Sequence, residues 1–269
     1  MQAVGVCTWT FGPLPLEQIA SRLQHLGFDG VELLGELPLE ASKVRAVLDS
    51  HGLRLFSLTP ANVDLAHPDP ARRLEALDYY HRLLDFAAEV GGPLVSCHGA
   101  VGRFAPLATQ SQEWAWLVEG VGQICSHARA LGLTVVFEVL NRYETHLVHT
   151  AEEALALLSQ VGQPNLKVLL DTYHMNIEEA SLPSAIRQAG PHLGLFHLAD
   201  SNRRGIGEGH TDFAEIWAAL QEVGYTGPLI LEATAPGPNP FTPVKGARYL
   251  ETLEADLSKS LRRLRARAQ

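Results

Sequence analysis

A (β/α)8 barrel is the fold this sequence predicts, on three observations. Strand-like apolar runs alternate with stretches of helical periodicity from one end to the other. The length, 269 residues, suits a single barrel of this kind. Connections after the apolar runs are long and those after the helical stretches are short, which gives the chain one working face. An open, doubly wound sheet shows the same alternation and stays as the rival, because periodicity does not show closure.

The elements follow in order. The first run is Val4–Trp9, and the helical pattern Leu16–Leu26 stops at Gly27, placed for a left-handed cap. Gly30–Leu34 is the second run, and the helix behind it stops at Gly52. Leu53–Leu58 and Leu94–His98 are the third and fourth, separated by the helical stretch Leu74–Val90. Trp114–Leu131 then stops at Gly132, before the fifth run, Thr134–Val139. Thr150 with Glu153 has capping-box spacing and opens the next helix. Val168–Asp171 and Gly194–His197 are runs six and seven. Asp212 with Glu215 opens the helix that stops at Gly224, and Leu229–Glu232 is the eighth run. From about 245 an amphipathic helix carries Leu250, Leu253, Leu257, Leu261 and Leu264 on one stripe. No linker or repeat interrupts the pattern, so residues 1–269 read as one domain.

Bulk properties narrow the function. No run of about eighteen apolar residues suggests a membrane span, and the opening MQAVGVCTWTFG lacks a basic, then apolar, secretory signal. Cys7, Cys97 and Cys125 are scattered and form no CxxC, which fits a reducing cytoplasm. A net charge of −9 argues against a nucleic-acid partner. Lys259, Arg262, Arg263, Arg265 and Arg267 read as the solvated face of the last helix.

Four polar residues close four successive strands: Glu138, Asp171, His197 and Glu232. Neighbouring parallel strands would gather them at the carboxyl edge, where such folds place their chemistry. Three carboxylates and an imidazole there suit one divalent ion of the harder kind, Mn²⁺, Co²⁺ or Mg²⁺. Glu138 shares a strand face with Val136 and so points to the barrel axis. Each residue has a plainer reading: an N-cap for Asp171, an ion-pair partner for Glu232. Glu144 is either a polyol contact or a solvated loop charge, and His174 either a contact near the site or a packing histidine. Arg203 lies in a loop with Gly205, Gly207 and Gly209, which read as flexibility near a ligand and lack P-loop spacing.

Three segments are specific enough to carry a resemblance: E-x-x-N-R-x-E-T from Glu138, D-T-Y-H-M-N-I-E-E from Asp171, and H-x-x-D-S-N-R from His197 followed by G-x-G-H. With TWTFG and GFDGVEL near the start, the chain resembles the xylose isomerase-like barrel superfamily of sugar isomerases and epimerases. Within it the chain looks most like the ketose 3-epimerases, the D-tagatose and D-psicose group. The resemblance implies one divalent ion, commonly manganese, held by Glu138, Asp171, His197 and Glu232. It implies Glu138 and Glu232 as the acid–base pair, which take and return the C3 proton of a free keto-sugar through a metal-bound enediolate. It also implies substrate contacts from Glu144, His174 and Arg203, and a homo-oligomer, dimer or tetramer. Trp9 and Phe11 would cover the sugar or belong to the core. Glu32 and His98 would line the pocket or be buried structural groups.

Rival readings share parts of this set. A hydroxypyruvate isomerase-like enzyme or an inosose dehydratase-like lyase needs the same enolate chemistry and stays open. Hydride-shift isomerases use a lysine, and Lys167 opens the sixth strand at the wrong end. The AP endonuclease IV-like repair enzymes need further ligands, yet strand three ends Ser57-Leu58-Thr59 and Asn202-Arg203-Arg204 replaces their Asp-x-His. A non-catalytic sugar-binding module is the remaining class.

Overall fold

The computed structural model describes residues 2–37, 39–237 and 246–266. Eight parallel strands close into a barrel in sequence order: β1 Val4–Cys7, β2 Gly30–Leu34, β3 Arg54–Thr59, β4 Leu94–Cys97, β5 Thr134–Glu138, β6 Leu166–Asp171, β7 Leu193–Leu198 and β8 Leu229–Leu231. β8 pairs with β1, so no open edge remains and the doubly wound alternative is excluded. Outside lie α1 Leu16–Leu26, α2 Ala41–Ser50, α3 Pro70–Val90, α4 Gln110–Ala130, α5 Ala151–Val161, α6 Thr172–Glu178, α7 Leu182–Ala189, α8 Phe213–Glu222 and α9 Tyr249–Ala266. No described helix is long and apolar enough to cross a membrane.

The barrel interior explains the site. Cys7, Phe56, Val136, Leu169, Leu195 and Ile230 form a small apolar cluster separate from the larger core between strands and helices. Strand side chains alternate with period two. Val136, Leu169, Leu195 and Ile230 therefore put Glu138, Asp171, His197 and Glu232, each two residues on, on the same inner face at the barrel mouth. Phe56 fills the opposite side because Gly5 and Gly30 make room: a Cβ there would fall 2.8 or 2.6 Å from its ring.

Local chemistry sets the helix ends. Gly27, Gly52, Gly132 and Gly224 all have positive φ, as their stop positions require. Thr150 accepts from the Glu153 amide, and Asp212 from those of Ala214 and Glu215. A full capping box also forms at Thr109 and Gln112, so α4 begins at Gln110, four residues before the expected Trp114.

Three expectations change. Trp9 leaves the first strand, because Thr8–Phe11 is a single 3-10 turn. The long connection after β6 is helical over Thr172–Glu178, with the Asp171 carboxylate accepting from the Tyr173 and His174 amides. The final helix begins at Tyr249, and its basic residues do more than face water. Arg265 donates to the Gly27 carbonyl, Arg263 to that of Ile206, and Lys259 pairs with Glu208. Arg267 and residues 238–244 of the loop after β8 lie outside the described residues.

Candidate active site

The four strand-end residues converge. His197 Nδ1 lies 3.6 Å from Glu138 Oε1, 3.8 Å from Asp171 Oδ2 and 3.9 Å from Glu232 Oε2. All four side chains are buried. His197 Nδ1 and Asp171 Oδ2 have no hydrogen-bond partner among the described residues. Unpartnered buried polar atoms facing one point are costly unless something binds between them.

Charge points the same way. Glu32, Glu138, Glu144, Asp171 and Glu232 are all buried here, with Arg203 the guanidinium among them. Burial, then the charge of Glu232, holds the Glu138 pKa well above the ordinary carboxylate value, and the same two causes push Asp171 to about 7. Burial opposes charge on His197, but the carboxylates, Glu32 foremost, outweigh it and hold its pKa well above the usual value. The pocket thus retains protons that a cation would displace. Hard oxygens with one imidazole fit a divalent ion.

Two histidines stand near that point. Glu138, Asp171, His174 and Glu232 each bring a ligand atom within 4.8 Å of the others, and Cys7, His197 and Glu232 form a second such group. Cys7 is a poor ligand, because burial and then the nearby Glu32 and Glu232 charges raise its pKa well above that of a free thiol. His197 Nε2 contacts both Glu32 oxygens, at 3.1 and 3.3 Å. Glu32 is completely buried and also accepts from Ser57 Oγ at 2.5 Å, Thr59 Oγ1 at 3.0 Å and Cys7 Sγ at 3.1 Å. Burial works against its charge, yet His197 and these donors bring its pKa down to about 2. On His174, Nδ1 meets the Asn141 side-chain amide at 2.8 Å and its backbone amide at 3.2 Å, while Nε2 has no partner among the described residues. Burial, then the Arg203 charge, lowers the His174 pKa well below normal, so the ring is neutral.

Arg203 joins the expected contacts into one network. Its Nη1 donates to Glu144 at 2.9 Å and its Nη2 to Glu232 at 3.1 Å. The guanidinium carbon sits 4.8 Å from the Tyr173 ring centre and 5.4 Å from that of Trp9. Trp9 Nε1 donates to the other Glu232 oxygen at 2.9 Å. Arg203 takes φ 59°, rare for a residue with a side chain, in a loop organised by buried Asp200. Asp200 accepts from the amides of Ser201, Gly207 and Thr211. The loop glycines serve packing. A Cβ at Gly205 would fall 2.7 Å from Ser260, and one at Gly209 would collide with Asp200.

A cavity of about 730 Å³ opens over this network, lined on the polar side by Glu138, Glu144, His98, His174, Arg203 and Glu232. His98 Nδ1 donates to the Gly99 carbonyl at 2.6 Å, and burial lowers its pKa. For two residues the structure favours the second of the readings left open. Phe11 is fully buried in the core and does not line the cavity, because the 3-10 turn faces it inward. Glu32 is not a lining residue either: it sits beneath the site, against His197. Asn141, Tyr173, Cys7 and Asp200 were not singled out from sequence, although the motifs that contain three of them were conspicuous.

The chain has relatives of known activity. The family model described as xylose isomerase-like TIM barrel matches residues 20–264. A D-psicose 3-epimerase of Agrobacterium fabrum is 36% identical over 234 residues, covering 82% of this chain and 78% of that protein. A D-psicose 3-epimerase of Ruminiclostridium cellulolyticum is 34% identical over 223 residues, covering 78% and 75%. The crystal structure of D-psicose 3-epimerase with D-tagatose from Clostridium cellulolyticum H10 superposes with a TM-score of 0.89 at 26% identity, covering 99% of each chain.

Proposed function

The chain belongs to the xylose isomerase-like TIM barrel family, and from that premise we propose that it is a ketose 3-epimerase acting on a free keto-sugar with the help of one divalent ion. It is an enzyme of the epimerase and isomerase class, as its relatives are. The reading takes residues 1–269 as one barrel domain. Its metal ligands are Glu138, Asp171, His197 and Glu232. Mn²⁺ is the preferred ion, with Co²⁺ or Mg²⁺ able to replace it.

One observation carries the reading. Buried carboxylates from two separate strands, Glu138 and Glu232, come within 4.8 Å of each other on the cavity wall. Inverting a carbon next to a carbonyl requires a proton to leave one face and another to arrive on the opposite face, which is work for two such groups. When bound, a divalent ion supplies positive charge where the keto-sugar gains negative charge. Glu232 is aimed by Trp9 on one oxygen and Arg203 on the other. Nε2 of His174, unpartnered among the described residues, would meet the carbonyl oxygen, and the Glu144–Arg203 pair beside it would meet neighbouring hydroxyls. Among the described lining residues none is lysine, and Lys167 donates to the Pro191 carbonyl elsewhere. Hydride-shift isomerisation with a lysine therefore finds no support.

A panel of ketoses incubated with the protein and Mn²⁺ in D₂O, followed by proton NMR, tests the proposal. The expected result is loss of the C3 proton signal with formation of the C3 epimer, abolished by chelation. Deuterium entering C1 would make aldose–ketose isomerisation the better assignment, and water elimination would indicate a dehydratase.

A further inference from the structure

We propose that two residues outside the ligand set, Glu32 and Asn141, hold both histidines of the site in the Nε2–H tautomer while turning opposite nitrogens toward it, so that His197 is a metal ligand through Nδ1 and His174 a hydrogen-bond donor to substrate through Nε2. The inference rests on the ligand assignment proposed above. It explains why His197 and His174, both fully buried and both near the carboxylates, do different work.

A ring nitrogen that faces only acceptors must carry the proton, and one that faces only donors must not. His197 Nε2 faces the Glu32 carboxylate, a pure acceptor when ionised. Nε2 therefore keeps its proton, and Nδ1, which faces Glu138, Asp171 and Glu232, is the nitrogen whose proton a bound cation would replace. Glu32 is held against rotation by Ser57, Thr59 and Cys7, so the imidazole is oriented as well as polarised.

At His174 the logic is reversed. The Tyr143 amide donates to Asn141 Oδ1 at 2.9 Å, which fixes the side-chain amide with its NH₂ toward the ring. Nδ1 then receives two donors from Asn141, and the proton must sit on Nε2. A protonated Nε2 is no metal ligand, however near the carboxylates it lies. It is a donor for a carbonyl or enolate oxygen.

Glu32 and Asn141 are thus positioning residues, and a nitrogen-detected NMR experiment on the full chain labelled with ¹⁵N-histidine reads their effect. Zn²⁺ serves as a diamagnetic probe ion, and His197→Asn and His174→Asn assign the signals. In the wild type His197 is expected to be protonated at Nε2 and metal-bound at Nδ1, and His174 protonated at Nε2 with Nδ1 free. Either histidine in the other tautomer overturns the proposal, and this arm needs no variant of Glu32 or Asn141. Glu32→Gln should lower Mn²⁺ affinity 10–100-fold, about the loss typical of such partners. Asn141→Ala should leave Mn²⁺ affinity within threefold while the His174 signals shift toward a tautomer mixture. A merely structural role would move both variants together, and equal Mn²⁺ affinities in Glu32→Gln and wild type would sink the assignment. None of these readings depends on whether C3 exchange occurs, so failure of the epimerase proposal is seen separately.

Discussion

Arg203 holds Glu232 by a hydrogen bond of 3.1 Å from Nη2 to Oε2, although 203 adopts a backbone conformation that most side chains avoid. The strain places one guanidinium between Glu144 and Glu232, and both bonds use its planar fork. A lysine keeps the charge but cannot serve two carboxylates in that geometry. Arg203→Lys is expected to lower kcat/KM for C3 epimerisation by about 10²-fold, with Mn²⁺ affinity changed far less. Initial rates of deuterium incorporation at C3 measure it, and an unaltered rate would limit Arg203 to holding its loop.

The two glutamates should fail together. Glu138→Gln and Glu232→Gln each remove a group that takes or returns a proton, and each is expected to reduce turnover by at least ~10²-fold. Both also weaken metal binding, so rates are compared at saturating Mn²⁺. Retention of near-normal epimerisation by either variant would remove that residue from the acid–base pair.

What the sequence made legible follows from the reach of its patterns. Period two along a strand places Glu138 with Val136 and Glu232 with Ile230, so inward-facing strand ends can be read without coordinates. Phe11 escaped because a 3-10 turn breaks that period just after β1, turning Trp9 to the cavity and Phe11 to the core. The roles of Glu32, named but left open, and of Asn141, not singled out, were hidden for another reason. Their partners lie 165 and 33 residues away, and only closure of the barrel brings β2 against β7 across its interior. The glycines after β7 read as flexibility near a ligand because composition does not reveal that α9 and Asp200 occupy the space above them.

Metal-free protein should lose stability as pH rises. Glu138 and Asp171 have raised pKa values, so the folded chain holds protons that the unfolded chain has already released above about pH 4. Stability then falls with pH until about 7 for Asp171, and the raised Glu138 acts in the same direction. His197, also raised, acts in the same direction above about pH 6.5. Glu32, lowered to about 2, acts oppositely, but only below its ordinary range. After chelation, Tm is expected to be lower at about pH 8 than at about pH 5 by roughly 5 °C or more. Saturating Mn²⁺ should remove the difference, since ligation replaces those protons. Calorimetry across this range checks it, and a flat metal-free profile would count against the buried cluster.

Glu113 makes the same kind of argument for the cavity rim. It is fully buried in the first turn of α4. One oxygen accepts from the Leu107 and Ala108 amides, and the other contacts His146 Nε2 at 2.8 Å and pairs with Arg103. Arg103 in turn pairs with Asp64 at 2.9 Å, so the segments after β3, β4 and β5 meet at one carboxylate. Burial disfavours its charge, but the backbone amides and Arg103 prevail and lower its pKa, so this support is lost on acidification. Glu113→Ala leaves the half-buried Arg103 with Asp64 alone and is expected to cost about 1–3 kcal/mol, or roughly 5 °C in Tm. Those segments supply Asn62, His98 and Val101 to the cavity wall, so KM should rise while Mn²⁺ affinity, set on the opposite strands, holds. Parallel thermal melts and metal titrations separate the two effects. A variant that melts like the wild type would show that the rim is held by other contacts.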